Sequence, residues 1–285
     1  MIRVTRRVEF SAAHFYHNPA FSAEENKRVF GKCSNLHGHG HNYVLEVTVA
    51  GEPDSATGMV LDLKELKDIL QREVVDRMDH RHLNHEVPEL AGKIPTCENI
   101  AAVIWNLLDP RIKQGRLDRV RLYESPDLFA DCTAESNGDV GFAGGPGVTA
   151  PLKLSLTRRY RFAASHRLHS AQFSEEENLR LYGKCSNPYG HGHNYIVEVT
   201  IAGPVDPATG MIANLGELDP FVEREVIEAF DQKYLNEEIP QFSAQVPTTE
   251  NVCREIYRRL KPFPAARLER VRIEETSNNS FEFAG

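Results

Sequence analysis

The sequence contains an internal duplication, and this feature constrains the fold more than any other. Residues 31–43 are GKCSNLHGHGHNY, and residues 183–195 are GKCSNPYGHGHNY, 152 positions later. The same offset relates further residues of the two halves: His14 and His166, Gly58 and Gly210, Asp79 and Asp231, and Glu98 and Glu250. After a one-residue deletion, Glu124 corresponds to Glu275. A repeat of this length predicts two homologous domains.

The duplication and the local composition predict three segments. These are a first domain at residues 1–126, a linker at residues 127–151 and a second domain at residues 152–285. The linker is rich in glycine and proline, which is typical of a flexible connector. In each repeat an alternating strand ends at a histidine, a polar loop leads to a second strand, and two helices and a last strand follow. This ββααβ order predicts an α+β fold, an antiparallel sheet with helices on one face.

Composition excludes several classes of protein. The 285 residues are 41% hydrophobic, which is ordinary for a globular protein, and no stretch approaches the length of a membrane span. The N-terminus lacks the apolar core of a signal peptide, and five cysteines are too few for a disulfide framework, so we expect a cytoplasmic protein. A net charge of −8 argues against nucleic-acid binding, but local basic residues can still bind an anionic small molecule.

The repeated histidines predict a metal centre in each half. Successive side chains of a strand point to opposite faces, so His39 and His41 share one face of the second strand. His14 ends the preceding strand and supplies a third imidazole. Three imidazoles with an open position are typical of a catalytic zinc site. The second repeat offers the equivalent set, His166, His191 and His193. His37 is an extra histidine, because its counterpart is Tyr189.

Candidate proton-transfer groups accompany the histidines. Cys33 and Cys185 stand just before the metal-binding strands, and a thiol near a cation and an imidazole loses its proton more easily. Asp79 and His80 are adjacent and resemble a base with the carboxylate that orients its ring. The second repeat has Asp231 followed by glutamine, Gln232, which cannot accept a proton.

Two glutamates on the last strands are candidate substrate ligands. Glu124 and Glu275 can each accept two hydrogen bonds from a ring N–H and a neighbouring amino group, as a guanine-like or pterin ring presents. The alternative is an exposed strand glutamate, which is the more common case. The segments that begin at Thr96 and Thr248 fit helix N-caps, and we assign them a structural role.

With these residues in view, both repeats resemble the 6-pyruvoyl tetrahydropterin synthase family, which includes the bacterial 6-carboxytetrahydropterin synthases of queuosine biosynthesis. The resemblance covers roughly residues 8–126 and 158–285. Its motifs are clearest in the second repeat, at residues 162–166, 183–185, 191–195, 207–211, 248–251 and 275–276. The combination of these motifs is highly specific, whereas His-Gly-His alone is not.

The resemblance implies two tandem tunnelling-fold domains, which join into barrels in a homo-oligomer and form sites between subunits. It implies zinc at the two sets of three histidines, the thiol role for Cys33 and Cys185, the dyad role for Asp79 and His80, and pterin anchoring by Glu124 and Glu275. The implied substrate is 7,8-dihydroneopterin triphosphate. Zinc would bind the side-chain hydroxyls and acidify a C–H bond. The thiol and histidine would move protons, and triphosphate would leave.

The resemblance leaves two products open. One is 6-pyruvoyl tetrahydropterin, which the spacing between the cysteine and the first zinc histidine favours in both repeats. The other is 6-carboxytetrahydropterin with release of acetaldehyde, and His37 also supplies the shorter spacing typical of that reaction. An aldolase-like cleavage is disfavoured by both cysteines, and a pterin-binding protein that has lost catalysis is a further alternative, motivated by Gln232.

Gln232 also departs from the family pattern and raises an asymmetry hypothesis. In the family, the Asp-His dyad reaches a thiol of a neighbouring subunit. Asp79 and His80 would then serve Cys185, whereas Cys33 would meet Asp231 and Gln232. We therefore expect that only one of the two kinds of site is fully equipped.

Overall fold

The computed structural model describes residues 1–134 and 151–285, which form two compact units. The first unit contains Met1–Leu156 and Ala202–Asn214, and the second contains Thr157–Ile201 and Leu215–Gly285. The units differ from the two predicted domains, because a turn of the second repeat, Ala202–Asn214, belongs to the first unit.

The first unit is built on a mixed sheet in the order β5-β4-β2-β1-β3. Its strands are β1 (Ile2–His14), β2 (His39–Gly51), β3 (Arg81–His82), β4 (Arg116–Ser125) and β5 (Leu128–Ala134). The antiparallel register of β1 and β2 runs from Ile2 opposite Gly51 to His14 opposite His39. All pairs are antiparallel except the two-residue pair of β1 and β3, which is parallel. The predicted antiparallel sheet therefore holds for the long strands.

The described residues of the first unit contain five α-helices. They are α1 (Ala23–Phe30), α2 (Leu63–Leu70), α3 (Asp76–Met78), α4 (Leu83–Glu86) and α5 (Cys97–Leu108). A π-helical stretch, Gln71–Val75, joins α2 to α3. The helices α2, α3 and α4 contact β1, and α5 contacts β4 and β5. Alternate side chains of β2, including Tyr43, Leu45 and Val47, are fully buried. This burial follows from the apolar alternation that predicted the strand.

The second unit repeats the same elements. Its strands are β6 (Leu152–His166), of which residues 157–166 belong to this unit, β7 (His191–Ala202), β8 (Lys233–Tyr234), β9 (Arg267–Thr276) and β10 (Asn279–Ala284). Its helices are α6 (Glu175–Tyr182), α7 (Leu215–Val222), α8 (Glu228–Phe230), α9 (Leu235–Glu238) and α10 (Thr249–Leu260). The strand β7 lies between β6 and β9, β10 pairs with β9, and β8 pairs with β6.

The structure corrects two local predictions. The polar loop after the first strand contains a helix in both repeats, α1 and α6, each followed by a 3-10 turn that carries the cysteine. The predicted linker begins too early, because residues 128–134 form β5, which pairs with β4. Residues 135–150 of that linker lie outside the described residues.

The predicted starts of the longest helices are confirmed. The Thr96 side chain accepts a hydrogen bond from the Asn99 N–H at the start of α5, and Thr248 does the same for Asn251 in α10. In the part of the chain that the structure describes, no helix is both long enough and apolar enough to span a bilayer.

Candidate active site

The β1–β2 pairing brings three imidazoles of the first unit together. His14 lies directly opposite His39, and His41 is on the same face of β2 two residues further on. The ring centroid of His14 lies 4.6 Å from that of His39 and 5.0 Å from that of His41. One ring nitrogen from each histidine lies within 4.8 Å of the others. Three convergent nitrogens with an open side can hold a metal ion.

Hydrogen bonds to His14 select the nitrogen that faces this centre. His14 Nδ1 lies 2.9 Å from the Pro95 carbonyl oxygen, which requires that Nδ1 carries the proton. The Nε2 lone pair is then free, and Nε2 lies 3.1 Å from His39 Nε2. Burial lowers the pKa of His14 to about 3, so the ring is neutral at physiological pH. A neutral imidazole oriented by a backbone carbonyl is the usual form of a metal-binding histidine.

A further observation supports metal binding by the three histidines of the first unit. The buried Nε2 of His41 has no hydrogen-bond partner among the described residues. A buried polar atom without a partner costs free energy, and a bound ion satisfies it.

The second unit contains the same arrangement. His166 Nδ1 lies 2.8 Å from the Pro247 carbonyl oxygen, and the buried His166 Nε2 has no hydrogen-bond partner among the described residues. The ring centroids of His191 and His193 lie 4.6 and 5.3 Å from that of His166. The two halves therefore carry two equivalent three-histidine centres.

A glutamate stands beside each centre. Glu124 is buried, its Oε1 lies 3.7 Å from His41 Nε2, and its Oε2 accepts a hydrogen bond of 3.2 Å from the Tyr16 hydroxyl. Glu275 Oε1 lies 3.7 Å from His193 Nε2 and accepts a hydrogen bond from the Thr249 hydroxyl. The alternative of an exposed strand glutamate is therefore wrong for Glu124.

The two cysteines lie in equivalent 3-10 turns, Gly31–Ser34 and Gly183–Ser186, which precede the second strand of each repeat. The Cys33 carbonyl oxygen accepts a hydrogen bond of 2.8 Å from the Tyr16 N–H, and the Cys185 carbonyl accepts one from Leu168. Burial and, to a lesser extent, the charge of Glu124 raise the pKa of the Cys33 thiol. The protein groups around Cys33 alone therefore favour the thiol over the thiolate.

The Asp79–His80 dyad forms at the edge of β1. His80 Nδ1 lies 2.8 Å from Asp79 Oδ2, and Asp79 Oδ1 accepts a hydrogen bond of 2.8 Å from the Ser11 N–H. The hydrogen bond from Ser11 and then that from the His80 ring lower the pKa of Asp79. The His80 ring is largely exposed, and within the described residues no hydrogen bond or ion pair joins it to Cys33. The structure forms the predicted dyad but does not connect it to the thiol of its own repeat.

The equivalent pair of the second unit has the same backbone shape. Ala163 N–H donates to Asp231 Oδ1 at 2.8 Å, as Ser11 does to Asp79. His80 and Gln232 have φ values of 56° and 58°, in the left-handed region that residues other than glycine rarely adopt. The two repeats therefore share the same constrained backbone conformation at this position. Only the side chain differs.

Two tyrosines contact the first three-histidine centre, and the sequence analysis did not predict either of them. Tyr16 packs its ring edge on His14, with centroids 5.1 Å apart, and donates to Glu124. The Tyr43 hydroxyl lies 3.1 Å from His14 Nδ1. The available signal was parity, since Tyr43 lies two residues beyond His41 and therefore shares its face of β2.

Together these features define a tandem α+β protein with a three-histidine centre, a neighbouring glutamate and a cysteine in a 3-10 turn before the metal-binding strand in each half. The family model described as 6-pyruvoyl tetrahydropterin synthase matches residues 3–135 and again residues 155–285. The chain belongs to this family, and its two repeats are tunnelling-fold domains.

Individual relatives match about half of this chain each. The human 6-pyruvoyl tetrahydrobiopterin synthase is 47% identical over 134 residues, which are 47% of this chain and 92% of the relative. The 6-carboxy-5,6,7,8-tetrahydropterin synthase of Rickettsia felis is 32% identical over 152 residues, 46% of this chain and 99% of the relative. The structure of the Caenorhabditis elegans 6-pyruvoyl tetrahydropterin synthase is 38% identical, covers 46% of this chain and 94% of its own, and has a TM-score of 0.45.

Proposed function

We propose that the protein is a zinc-dependent carbon–oxygen lyase that eliminates triphosphate from 7,8-dihydroneopterin triphosphate and forms 6-pyruvoyl tetrahydropterin. The observation that carries this proposal is the convergence of His14, His39 and His41 beside Glu124. The family membership and the names of relatives, which are 6-pyruvoyl tetrahydrobiopterin synthases at up to 48% identity, support it.

The metal would be held by the two three-histidine centres, one in each repeat. Neutral imidazoles with a single free nitrogen are borderline ligands that suit zinc. When bound, zinc supplies Lewis acidity at the substrate side-chain hydroxyls, which makes the neighbouring C–H bonds more acidic.

The glutamates would hold the pterin ring. A carboxylate accepts two hydrogen bonds from adjacent N–H groups, and the ring N–H and exocyclic amino group of a pterin present such a pair. Tyr16 holds one oxygen of Glu124 and so fixes the direction of the carboxylate. The short distance between Glu124 and His41 would keep the substrate side chain next to the metal-binding imidazoles.

The thiol and the dyad would move protons. Burial raises the pKa of Cys33, and a cation in the neighbouring three-histidine centre would oppose that effect. His80 is oriented by Asp79 as a general base or acid but lies at an exposed edge of its own unit. We therefore propose that this dyad serves a thiol of the second repeat, in the same chain or in a second copy.

The second candidate is the 6-carboxytetrahydropterin synthase reaction, in which a carbon–carbon bond also breaks and acetaldehyde is released. The 32% identity to the Rickettsia felis relative and the His37 spacing favour it. A pterin-binding protein that has lost catalysis is the non-enzymatic alternative. It rests on Gln232.

One experiment separates these functions. Purified protein is incubated with 7,8-dihydroneopterin triphosphate, and free triphosphate, acetaldehyde and the mass of the pterin product are measured. We expect triphosphate and 6-pyruvoyl tetrahydropterin, loss of both after chelation, and recovery when zinc is added back.

Other results would overturn the proposal in defined ways. Acetaldehyde with the carboxy product would establish the second candidate. Tight pterin binding without triphosphate release would identify a binding protein, and turnover that survives complete metal removal would exclude the zinc mechanism.

A further inference from the structure

The carboxylates of Glu124 and Glu275 accept hydrogen bonds from hydroxyl groups that come from different positions of the two repeats. In the first unit, Glu124 Oε2 accepts a hydrogen bond of 3.2 Å from the Tyr16 hydroxyl. In the second unit, Glu275 Oε1 accepts a hydrogen bond from the Thr249 hydroxyl. Tyr16 follows strand β1, whereas Thr249 is the first residue of helix α10. Equivalent glutamates are therefore contacted from two different elements.

The sequence shows that the two hydroxyl groups are exchanged between the repeats. The counterpart of Tyr16 is Leu168, and the counterpart of Thr249 is Cys97. Neither leucine nor cysteine carries a hydroxyl group. Each repeat therefore has a hydroxyl at one of these two positions, and the repeats use opposite positions.

Cys97 occupies the same place in the first unit that Thr249 occupies in the second. Each is the first residue of its helix, after a threonine N-cap, and only 1% of Cys97 and 3% of Thr249 is exposed. Burial and then the charge of Glu124 raise the pKa of the Cys97 thiol, so this side chain lies near the carboxylate. Cys97 Sγ nevertheless donates elsewhere, to the Leu122 carbonyl oxygen at 3.2 Å.

Tyr16 is held in place by its ring. The ring packs edge-on against His14, with centroids 5.1 Å apart, and against Phe30, with centroids 6.1 Å apart. A phenol keeps its proton at neutral pH, so the hydroxyl donates to the carboxylate. The position of the ring therefore fixes the position of the donor.

A hydroxyl at either position can orient the glutamate. The last torsion of a glutamate side chain has a broad energy minimum, so the plane of the carboxylate is not set by the rotamer alone. A hydrogen bond from a fixed donor to an ionised oxygen is strong and restricts that plane. The plane decides whether both oxygens can accept hydrogen bonds from two adjacent N–H groups of a flat ring.

We propose that Tyr16 is the positioning residue for Glu124 in the first repeat, where it supplies the hydroxyl that Cys97 lacks. The two repeats then orient equivalent carboxylates from different elements, and a hydroxyl at position 97 can replace the one at position 16. This inference rests on the proposed role of the glutamates in holding the pterin ring. It adds which residue sets the direction of the carboxylate in the first repeat.

The test is equilibrium binding of 7,8-dihydroneopterin to the full-length protein, measured by anaerobic isothermal titration calorimetry. This ligand has the pterin ring but no triphosphate, so it has no triphosphate to eliminate. Every variant carries Glu275→Gln, which removes the carboxylate of the second site. In this background, Tyr16→Phe should raise the dissociation constant at least about tenfold, because it deletes the hydroxyl and keeps the ring.

Position 97 provides the rescue and its matched control. Adding Cys97→Thr to Tyr16→Phe should return the dissociation constant to within about threefold of the background, because threonine supplies a hydroxyl from the same place as Thr249. Adding Cys97→Val instead should leave binding weak, since valine has nearly the shape of threonine but no hydroxyl. Thermal unfolding of each variant checks that the fold is intact.

The second repeat provides a control for the site on which Tyr16 acts. In a background of Glu124→Gln, which leaves only the carboxylate of Glu275, Tyr16→Phe should change the dissociation constant by less than about twofold. An equal loss of affinity in both backgrounds would show a general structural effect and overturn the inference.

Three further results would overturn the inference while pterin binding persists. These are an unchanged dissociation constant after Tyr16→Phe, equal rescue by Cys97→Thr and Cys97→Val, and failure of Cys97→Thr to restore binding. Absence of 7,8-dihydroneopterin binding by the wild-type protein would instead overturn the proposed role of the glutamates, and this inference with it.

Discussion

At the scale of single residues, the three-histidine centres depend on neighbours that fix each ring. The Pro95 and Pro247 carbonyl oxygens each accept a hydrogen bond from the Nδ1–H of the first histidine and leave its Nε2 for a metal. His37 is exposed and belongs to neither group, although its spacing to His39 also gives a His-Gly-His sequence. Position in the fold, rather than the motif, therefore separates candidate ligands from the extra histidine.

This arrangement predicts a stoichiometric change in metal content. The variant His14→Ala removes one of three ligands, so zinc in the purified protein should fall from about two to about one per chain, and His166→Ala should have the same effect. Elemental analysis of the dialysed protein measures this. His37→Ala is the matched control and should retain both ions. Loss of zinc in that variant would show that His37, and not only His39 and His41, binds the metal.

The sequence predicted these ligands because strand parity is a local property. The alternation after His41 fixed the strand, and the strand fixed which histidines share a face. The same reasoning did not predict the pKa of Cys33, because that depends on burial and on Glu124, which lies far away in the sequence. The sequence also did not show that no hydrogen bond joins His80 to Cys33 within the described residues, because that depends on where the dyad lies beside β1.

At the scale of elements, the helix start of α5 contains a buried acid with an unusual protonation state. Burial raises the pKa of Glu98 to about 7. Its carboxyl group accepts a hydrogen bond from the Ile212 N–H, which lies in the turn Ala202–Asn214. A raised pKa in the folded state favours the protonated form, so the stability of the fold decreases as the pH rises from about 4.5 to about 7 and levels off above that.

The variant Glu98→Gln should remove this pH dependence, because glutamine is neutral and still accepts the hydrogen bond. Between pH 5 and pH 8, the wild-type protein should lose about 2 kcal/mol of unfolding free energy relative to the variant. Urea unfolding of both proteins at the two pH values measures the difference. Parallel changes in the two proteins would show that Glu98 does not titrate in this range.

Helix α1 and strand β5 were not predicted, for different physical reasons. Helix α1 has only eight residues, of which four are charged, so it offers too few apolar side chains for a helical pattern to be recognised in the sequence. Its signal was the cap: Ser22 and Ser174 each accept a hydrogen bond from the glutamate N–H three residues later, and Ser174 forms a complete capping box. Strand β5 was assigned to the linker because the glycine-rich segment that follows it dominated the local composition.

At the scale of the whole molecule, the duplication produces two repeats that are equivalent in fold but not in chemistry. The compact units do not coincide with the repeats, since Ala202–Asn214 of the second repeat belongs to the first unit. No sequence pattern predicted this, because the contacts between this turn and helix α5 join residues more than a hundred positions apart. The asymmetry at position 232 was visible in the sequence.

The asymmetry predicts unequal contributions of the two cysteines to turnover. If Asp79 and His80 serve the second repeat, Cys185→Ser should lower kcat at least about 100-fold, whereas Cys33→Ser should change it by less than about threefold. Steady-state assays of each variant, with zinc content measured alongside, test this. Equal partial losses would refute the asymmetry.

The backbone at Gln232 has a consequence for the history of this chain. Its left-handed conformation matches that of His80 within a few degrees, and Asp231 is held as Asp79 is. A single nucleotide change converts a glutamine codon into a histidine codon. Under the proposed mechanism, one point mutation at position 232 would therefore place a proton carrier on a backbone that already has the φ value of His80.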